Sequence, residues 1–238
     1  MLAKGSMPVV AYPVAGFLLS LLLLLWNIWA ALPILIIFGA LSALTVNFFR
    51  DPERTIGKGL VSPADGVLNR AEATDTGAYF SIFMNVHDVH VNRAPWPGRV
   101  VEVVRISGPH RPAYEKGASR NERVRITIEG SLGAISVTQM VGIVARRILP
   151  YVAAGKMLEK GERIGIIRLG SRVDLYVPHA DLKLVAKEGD RVLAGTTTLA
   201  LVRKQGAGGG ARGAGDGGPG AGDGKRGGDG AEDGSDDA

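Results

Sequence analysis

Three stretches of the chain carry side chains that could act together in nucleophilic chemistry. Gly170-Ser171 interrupts an otherwise strand-like run from Ile166 to Val177. Glycine weakens a strand interior, so its place there points to a bulge, a bend or close approach by another group. It also sets a carbonyl directly before a serine hydroxyl, the arrangement a self-cleaving peptide bond requires. Ser62-Pro63-Ala64-Asp65-Gly66 places a carboxylate in a turn. Phe83 to Pro95 reads as one strand-like run holding His87 and His90, two of the four histidines. His90 shares strand parity with Ile82, Met84 and Val86, which predicts a partly buried imidazole in need of a partner. A serine nucleophile, a histidine base and an aspartate that orients it form a triad by geometry and not by chain order. Ser171, His90 and Asp65 are the candidates. Taken singly, each has a plainer reading: a bulged hairpin, a hydrogen-bonded structural histidine and a Pro-x-Asp-Gly turn.

These residues must be positioned by a largely β domain. From Gly59 to Lys204, Val and Ile alternate with polar residues in Arg99–Ile106, Arg123–Ile128, Ala134–Val141 and Arg172–Val177, and few segments read as helix. The expected class is mainly β, a sandwich or barrel-like catalytic domain, with 114–119 as a mobile loop. An internal repeat supports it: 152–164 resembles 185–195, with the same spacing between Gly155 and Gly161 as between Gly189 and Gly195. Each copy reads as strand, turn, strand, similar to the half-motifs of lipoyl-type sandwich domains. Neither copy has a lysine at a hairpin tip flanked by methionines, so a swinging cofactor is not expected.

Two appendages flank this domain. No charged residue occurs between Lys4 and Arg50, and 9–26 and 29–49 are each long enough to cross a bilayer that needs about 20 apolar residues. Asn27 and Pro33 break the run into an α-hairpin, giving a membrane hairpin over 1–50 and a catalytic domain over 51–204. Lys4 before the hairpin and Arg50, Arg54 and Lys58 after it favour both ends on the cytoplasmic face of a cell membrane. The Gly/Asp-rich tail, 205–238, has almost nothing apolar to bury and is expected to be disordered. From Gly206 onward it holds 3 basic and 7 acidic residues, so the +5 of the whole chain becomes +9 without it (25 Lys+Arg against 16 Asp+Glu). That surplus suits an anionic membrane surface. No basic stretch is interleaved with aromatics, so a nucleic-acid partner is not expected. With Cys 0, disulfides, thiolate catalysis and cysteine metal sites are excluded, and no metal is expected.

Read in order, Pro63-Ala64-Asp65-Gly66, Asp88-Val89-His90-Val91-Asn92-Arg93, Asn121-Glu122-Arg123, Gln139 to Ile148 and Leu169-Gly170-Ser171-Arg172-Val173-Asp174 resemble the short form of phosphatidylserine decarboxylase, archaetidylserine decarboxylase-like relatives included. The resemblance covers Phe48 to Val202. It implies a zymogen that cuts itself between Gly170 and Ser171, with Ser171 Oγ activated by His90 and His90 oriented by Asp65. Ser171 would become a pyruvoyl cofactor, and the two chains would stay together as a heterodimer, with a higher oligomer open. The pyruvoyl carbonyl would then be the electron sink for decarboxylating phosphatidylserine to phosphatidylethanolamine and CO2. Longer members carry a second histidine three residues beyond the first, where this chain has Arg93, so the role is carried onto His90 and His87 is an additional histidine. A substrate phosphate and carboxylate need cationic partners, and Arg93, Arg111, Arg146 and Arg172 are the candidates. His110 could belong to a lid.

Two other classes compete with this reading. A membrane-anchored lipoyl-like adaptor would explain the hairpin and the repeat, but it leaves Asp65, His90 and Ser171 unexplained. A membrane-anchored serine hydrolase would use the same three residues, although Ser171 lacks a strand-to-helix elbow.

Overall fold

The structure is a computed structural model and describes residues 1–110, 120–142, 147–168 and 171–203. Arg111, Arg146, Gly170, the 114–119 loop and the 205–238 tail lie outside the described residues.

The apolar amino-terminal stretch forms two helices, α1 (Met7–Leu23) and α2 (Ile28–Phe48). α1 stops at Leu23, and the extended Asn27 starts α2, its Oδ1 accepting the Ala30 N–H at 3.2 Å as a cap. Pro33 takes no part in the break and is accommodated inside α2. The helices pack through small residues against large ones. A Cβ on Gly16 would stand 2.3 Å from the Phe38 ring, and one on Gly39 would stand 3.4 Å from Phe17. Only glycine at 16 lets the backbones approach this closely. Their outer faces leave Leu19, Leu22, Trp29 and Ile36 exposed, as is Trp26 in the connection between them.

Fourteen strands follow among the described residues: β1 (Leu60–Val61), β2 (Gly66–Thr74), β3 (Gly77–Met84), β4 (Val91–Arg93), β5 (Gly98–Ile106), β6 (Arg123–Gly130), β7 (Gly133–Val141), β8 (Ile148–Pro150), β9 (Met157–Leu158), β10 (Arg163–Ile167), β11 (Ser171–Val177), β12 (Leu182–Leu184), β13 (Arg191–Val192) and β14 (Thr198–Val202). They make an eight-stranded antiparallel sheet, β13-β2-β3-β11-β7-β6-β5-β9, and two three-stranded sheets, β1-β14-β12 and β4-β10-β8. The mainly β expectation holds, and β5, β6, β7 and β11 match the alternating segments. The core is built from inward positions of that alternation, among them Leu68, Phe80, Ile82, Ile126, Ile128 and Leu175. Each such side chain contributes about 1.5–3 kcal/mol of burial.

Two sequence expectations are corrected. The run 166–177 is not one strand: β10 ends at Ile167 and β11 begins at Ser171 in a different sheet. The run 83–95 is also divided. β3 ends at Met84, and a turn follows in which the Asp88 N–H donates to the Asn85 carbonyl while Asp88 Oδ2 accepts the Asn85 N–H at 2.7 Å. His90 therefore lies between β3 and β4, and its burial owes nothing to strand parity.

The glycine repeat is real in three dimensions and larger than the sequence suggests. Gly155 and Gly189 donate to Val100 and Leu68, and Gly161 and Gly195 donate to Ala94 and Ser62. All four glycines have positive φ, between 74° and 90°, which suits glycine best. Their acceptors are themselves paired at a spacing of six, so Ser62 to Leu68 matches Ala94 to Val100. The two segments also bond to each other, the Arg93 N–H to the Pro63 carbonyl and the Val61 N–H to the Pro95 carbonyl. Gly66 and Gly98 occupy matched places: a Cβ on either would meet a carbonyl oxygen of the neighbouring strand, of Phe83 at 2.1 Å or of Glu129 at 2.3 Å. In this correspondence Asp65 is matched by Pro97, so the carboxylate belongs to one half alone.

Candidate active site

Ser171 opens β11, fully buried, with Met84 of β3 on one side and Val141 of β7 on the other. Its hydroxyl donates to Met84 Sδ at 3.3 Å. A thioether is a weak acceptor, so this contact leaves Oγ free to exchange it for a better partner. Asn92 Nδ2 reaches the same sulfur at 3.7 Å, and Asn92 Oδ1 accepts Gln139 Nε2 at 2.6 Å. All three polar side chains are buried, and Gly165 makes room for them: a Cβ there would lie 2.9 Å from Gln139 Nε2.

His90 is fully buried, with Nδ1 2.8 Å from the Asp88 carbonyl oxygen. A carbonyl can only accept, so Nδ1 carries the proton and Nε2 of the neutral ring holds a bare lone pair. Nε2 is buried and has no hydrogen-bond partner among the described residues. Burial pushes the pKa of His90 down to about 4; the Asp88 carbonyl and carboxylate oppose this, and Arg50 adds to it. At neutral pH the site therefore holds a dry, uncharged base with its accepting nitrogen unused. The His90 carbonyl accepts the Ile167 N–H at 3.3 Å, which ties this residue to the segment leading into Ser171.

Asp65 does not orient this ring by a hydrogen bond. Its Oδ1 accepts the Ala194 N–H at 2.7 Å and its Oδ2 pairs with Arg54 at 2.7 Å, so the carboxylate holds the turn before β2 to the hairpin after β13. The Asp88 carbonyl does the orienting instead. Burial raises the Asp65 pKa against the pull of the Ala194 N–H and Arg54, and the nearby Asp88 charge adds to the rise.

The described arginine candidates are already engaged within the protein. Arg93 is buried, donating to the Gly161 carbonyl at 3.0 Å, the Pro52 carbonyl at 3.0 Å and Asp51 Oδ1 at 2.9 Å. Asp51 also pairs with Arg163, which reaches on to Glu53 at 3.0 Å. Arg93 is thus a clamp on the segment leaving α2, not a free cation. Arg172 pairs with Asp174 at 2.9 Å and, as the neighbour of Ser171 in a strand, points to the opposite face of the sheet. His87 is exposed, its carbonyl accepting Arg50 Nη2 at 2.6 Å, and His110 pairs with Glu122 at 3.2 Å. A cleft of about 640 Å³ beside the clamp is lined by Lys4, Arg54, Arg93, Tyr151, Lys156 and Arg163 among others. Neither Ser171 nor His90 lines it, so cleft volume is a poor guide to the chemistry here.

Asp88, Asn92, Gln139, Arg54 and Asp51 complete this arrangement, and none was singled out from sequence as acting in it. Asp88 and Asn92 have a signal in their place within two residues of His90, and Gln139 in its place at the head of the 139–148 motif.

Comparison with known proteins identifies the family. The family profile described as phosphatidylserine decarboxylase matches residues 41–200. A phosphatidylserine decarboxylase proenzyme of Streptomyces coelicolor is 46% identical over 162 residues, 67% of this chain and 74% of that protein. A protein of Methanosarcina mazei named "Putative archaetidylserine decarboxylase proenzyme" is 40% identical over 210 residues, 85% of this chain and 98% of that protein. One of Archaeoglobus fulgidus with the same name is 46% identical over 163 residues, covering 68% and 80%. The match over residues 41–200 puts the chain in a class of decarboxylases. The chain belongs to the phosphatidylserine decarboxylase family and is an enzyme of that type.

Proposed function

We propose that this chain cuts itself between Gly170 and Ser171 and then decarboxylates the serine headgroup of an aminophospholipid, phosphatidylserine to phosphatidylethanolamine. The observation that carries the reading is the buried, partnerless Nε2 of His90 on the segment bonded to the approach to Ser171. His90 Nε2 takes the Ser171 hydroxyl proton as Oγ attacks the Gly170 carbonyl carbon. The C–N bond breaks and the acyl group passes to oxygen, leaving an ester and a free amine on Ser171. Loss of the Ser171 α-proton then expels Gly170 as a carboxylate, and water converts the resulting dehydroalanine to a pyruvoyl group with release of ammonia.

The surroundings of Ser171 fit that group. Met84, Val141, Asn92 and Gln139 form a dry enclosure with one weak hydrogen bond to give up. When present, the pyruvoyl group supplies an electron-accepting carbonyl. The protein's own part is to exclude water, to hold the strand that carries position 171 and to keep His90 neutral as a proton carrier. Asp65 serves by holding Arg54 and the Ala194 amide, not by touching the imidazole.

The exposed apolar faces of α1 and α2 would anchor the domain in a membrane, with α2, at 21 residues, long and apolar enough to cross. The charges flanking the hairpin favour the cytoplasmic face. On this reading 51–204 is the decarboxylase domain and 205–238 a solvated tail. The family's phosphatidyl and archaetidyl names match this chain at similar identity, and the serine headgroup is what the chemistry acts on in both.

A denaturing gel with intact mass measurement tests the scheme. Wild-type protein should give two chains, the smaller lighter by one ammonia than a serine-initiated chain beginning at 171. Incubation with phosphatidylserine vesicles should release CO2 and phosphatidylethanolamine. Ser171→Ala should remain one uncut, inactive chain, and cutting or decarboxylation by that variant would refute the scheme.

A further inference from the structure

A side chain from outside the β domain covers one side of the His90 ring. Phe48, the last residue of α2, lays its ring against the imidazole, with centroids 4.2 Å apart and planes at 34°. Phe49 packs edge-on against Phe48 at 5.0 Å, and the Arg168 guanidinium lies over Phe49 at 5.9 Å. Phe48 and Phe49 belong to a second apolar cluster, separate from the main core, in which Ala3 and Val10 of the amino-terminal segment meet Val89, Val91 and Ile166, the two valines flanking His90 in sequence. Three residues beyond Phe48, Asp51 is gripped by Arg93 and Arg163. The end of the apolar helix is therefore fixed on the domain at two adjacent points, one of which is the imidazole itself.

Resting on the proposed self-cleavage, we infer that Phe48 is a positioning residue for that reaction: the carboxyl end of α2 forms the wall that keeps His90 dry and oriented. Competence to mature then depends on the helix pair being seated. An unseated α2 would leave Ser171 and the β domain intact but expose His90 to water.

Among the described residues, two charged groups act on the ring, Asp88 and Arg50. Asp88 faces it from its own turn, through a carbonyl on Nδ1 and a carboxylate occupied by Arg191 and the Asn85 N–H. Arg50 faces it from the segment after α2. The neighbours from β4 and β10, Val91 and Ile166, carry no charge. Removing the Phe48 ring thus changes hydration at His90 without removing an ionic partner. The depressed pKa, about 4, should then return toward the ordinary 6.5.

The test uses the full chain in lipid nanodiscs. In the uncut Ser171→Ala background, the His90 imidazole resonance should titrate with a midpoint near pH 4, and adding Phe48→Ala should move that midpoint upward by more than one pH unit. Phe48→Leu keeps part of the apolar cover and should move it by at least half a pH unit, so it decides the matter if Phe48→Ala does not fold. In cell-free synthesis with Ser171 present, wild type should be cut at nearly the same rate at pH 5.5 and pH 7.5. Phe48→Ala, with a midpoint restored to ~6.5, should be cut about tenfold more slowly at the lower pH, the ratio of its neutral-imidazole fractions. An unmoved midpoint in the folded Phe48 variants overturns the inference while leaving self-cleavage standing. Cutting of the Ser171→Ala chain would instead overturn the reading on which it rests.

Discussion

Asp51 is the residue at which the attachment of α2 can be tested most directly, by Asp51→Asn in the uncut Ser171→Ala background. The side chain keeps its size and loses its charge between two guanidinium groups. Arg163 is about one-third exposed and retains Glu53 at 3.0 Å, so its share of the loss is below about 1 kcal/mol. Arg93 is different. Its side chain and that of Asp51 are each 6% exposed, and without the carboxylate charge the acceptors left to Arg93 among the described residues are neutral, the carbonyls of Gly161 and Pro52 and the amide oxygen at 51. Leaving such a charge buried and unpaired costs about 3–5 kcal/mol. At about 2–4 °C per kcal/mol for a chain of this size, the thermal midpoint should fall by roughly 6–20 °C. Circular dichroism melts in detergent at fixed pH would read it. Replacing the stranded cation as well, in Asp51→Asn/Arg93→Met, should recover at least half of the loss, because the cost lies in the uncompensated charge and not in the missing contact. A fall under 2 °C, or a double variant no more stable than the single one, would refute the assignment of this pair as a buried clamp.

Other outcomes follow from the same geometry. Because the folded-state pKa of His90 is lowered to about 4 from 6.5, the unfolded chain takes up its proton first as pH falls. Stability is therefore lost between pH 6.5 and about 4, by up to about 3 kcal/mol, and His90→Gln in the Ser171→Ala background should flatten melting curves across that window. Asp65, with its raised pKa, works in the opposite direction at lower pH, so only the difference between the two proteins isolates the histidine. Gly66→Ala should cost about 2–4 kcal/mol in chemical unfolding, since its Cβ meets the Phe83 carbonyl at 2.1 Å and φ is 152°. Gly155→Ala has open space around it and only its φ of 90° to strain, so about 1 kcal/mol is expected.

Much of the site was legible because it is local. Ser171, His90 and Asp65 stand in short motifs whose order along the chain carries the resemblance, and the alternation of Val and Ile drew β5, β6, β7 and β11 almost to their ends. What was not legible depends on contacts between distant segments. Asp65 looked like the third member of a triad, but the amide that claims Oδ1 belongs to Ala194, and no local pattern links positions 65 and 194. Arg93 looked available to a phosphate because its partner Asp51 lies 42 residues away, across the boundary between the helices and the domain. Phe48 was simply the end of an apolar run. The parity that predicted a buried His90 gave the right burial for the wrong reason, since the chain turns between β3 and β4 there.

The place of Ser171 in the sheet has a consequence for the order of events in the protein's life. β11 is enclosed by β3 and β7, β13 closes on β2, and β14 lies between β1 and β12. A cut at 170–171 would leave every strand from β11 onward on one polypeptide and their neighbours β1, β2, β3 and β7 on the other. The finished enzyme would be a fabric woven from two threads that were a single thread when it was made. On the proposed scheme folding would come first, because the folded chain is what buries His90. Once cut and unfolded, the pieces must find each other by diffusion, with no native serine left at the junction to repeat the maturation. Maturation would thus act as a ratchet, and the working lifetime of the protein would be set by how slowly it first comes apart and not by any equilibrium with its unfolded state.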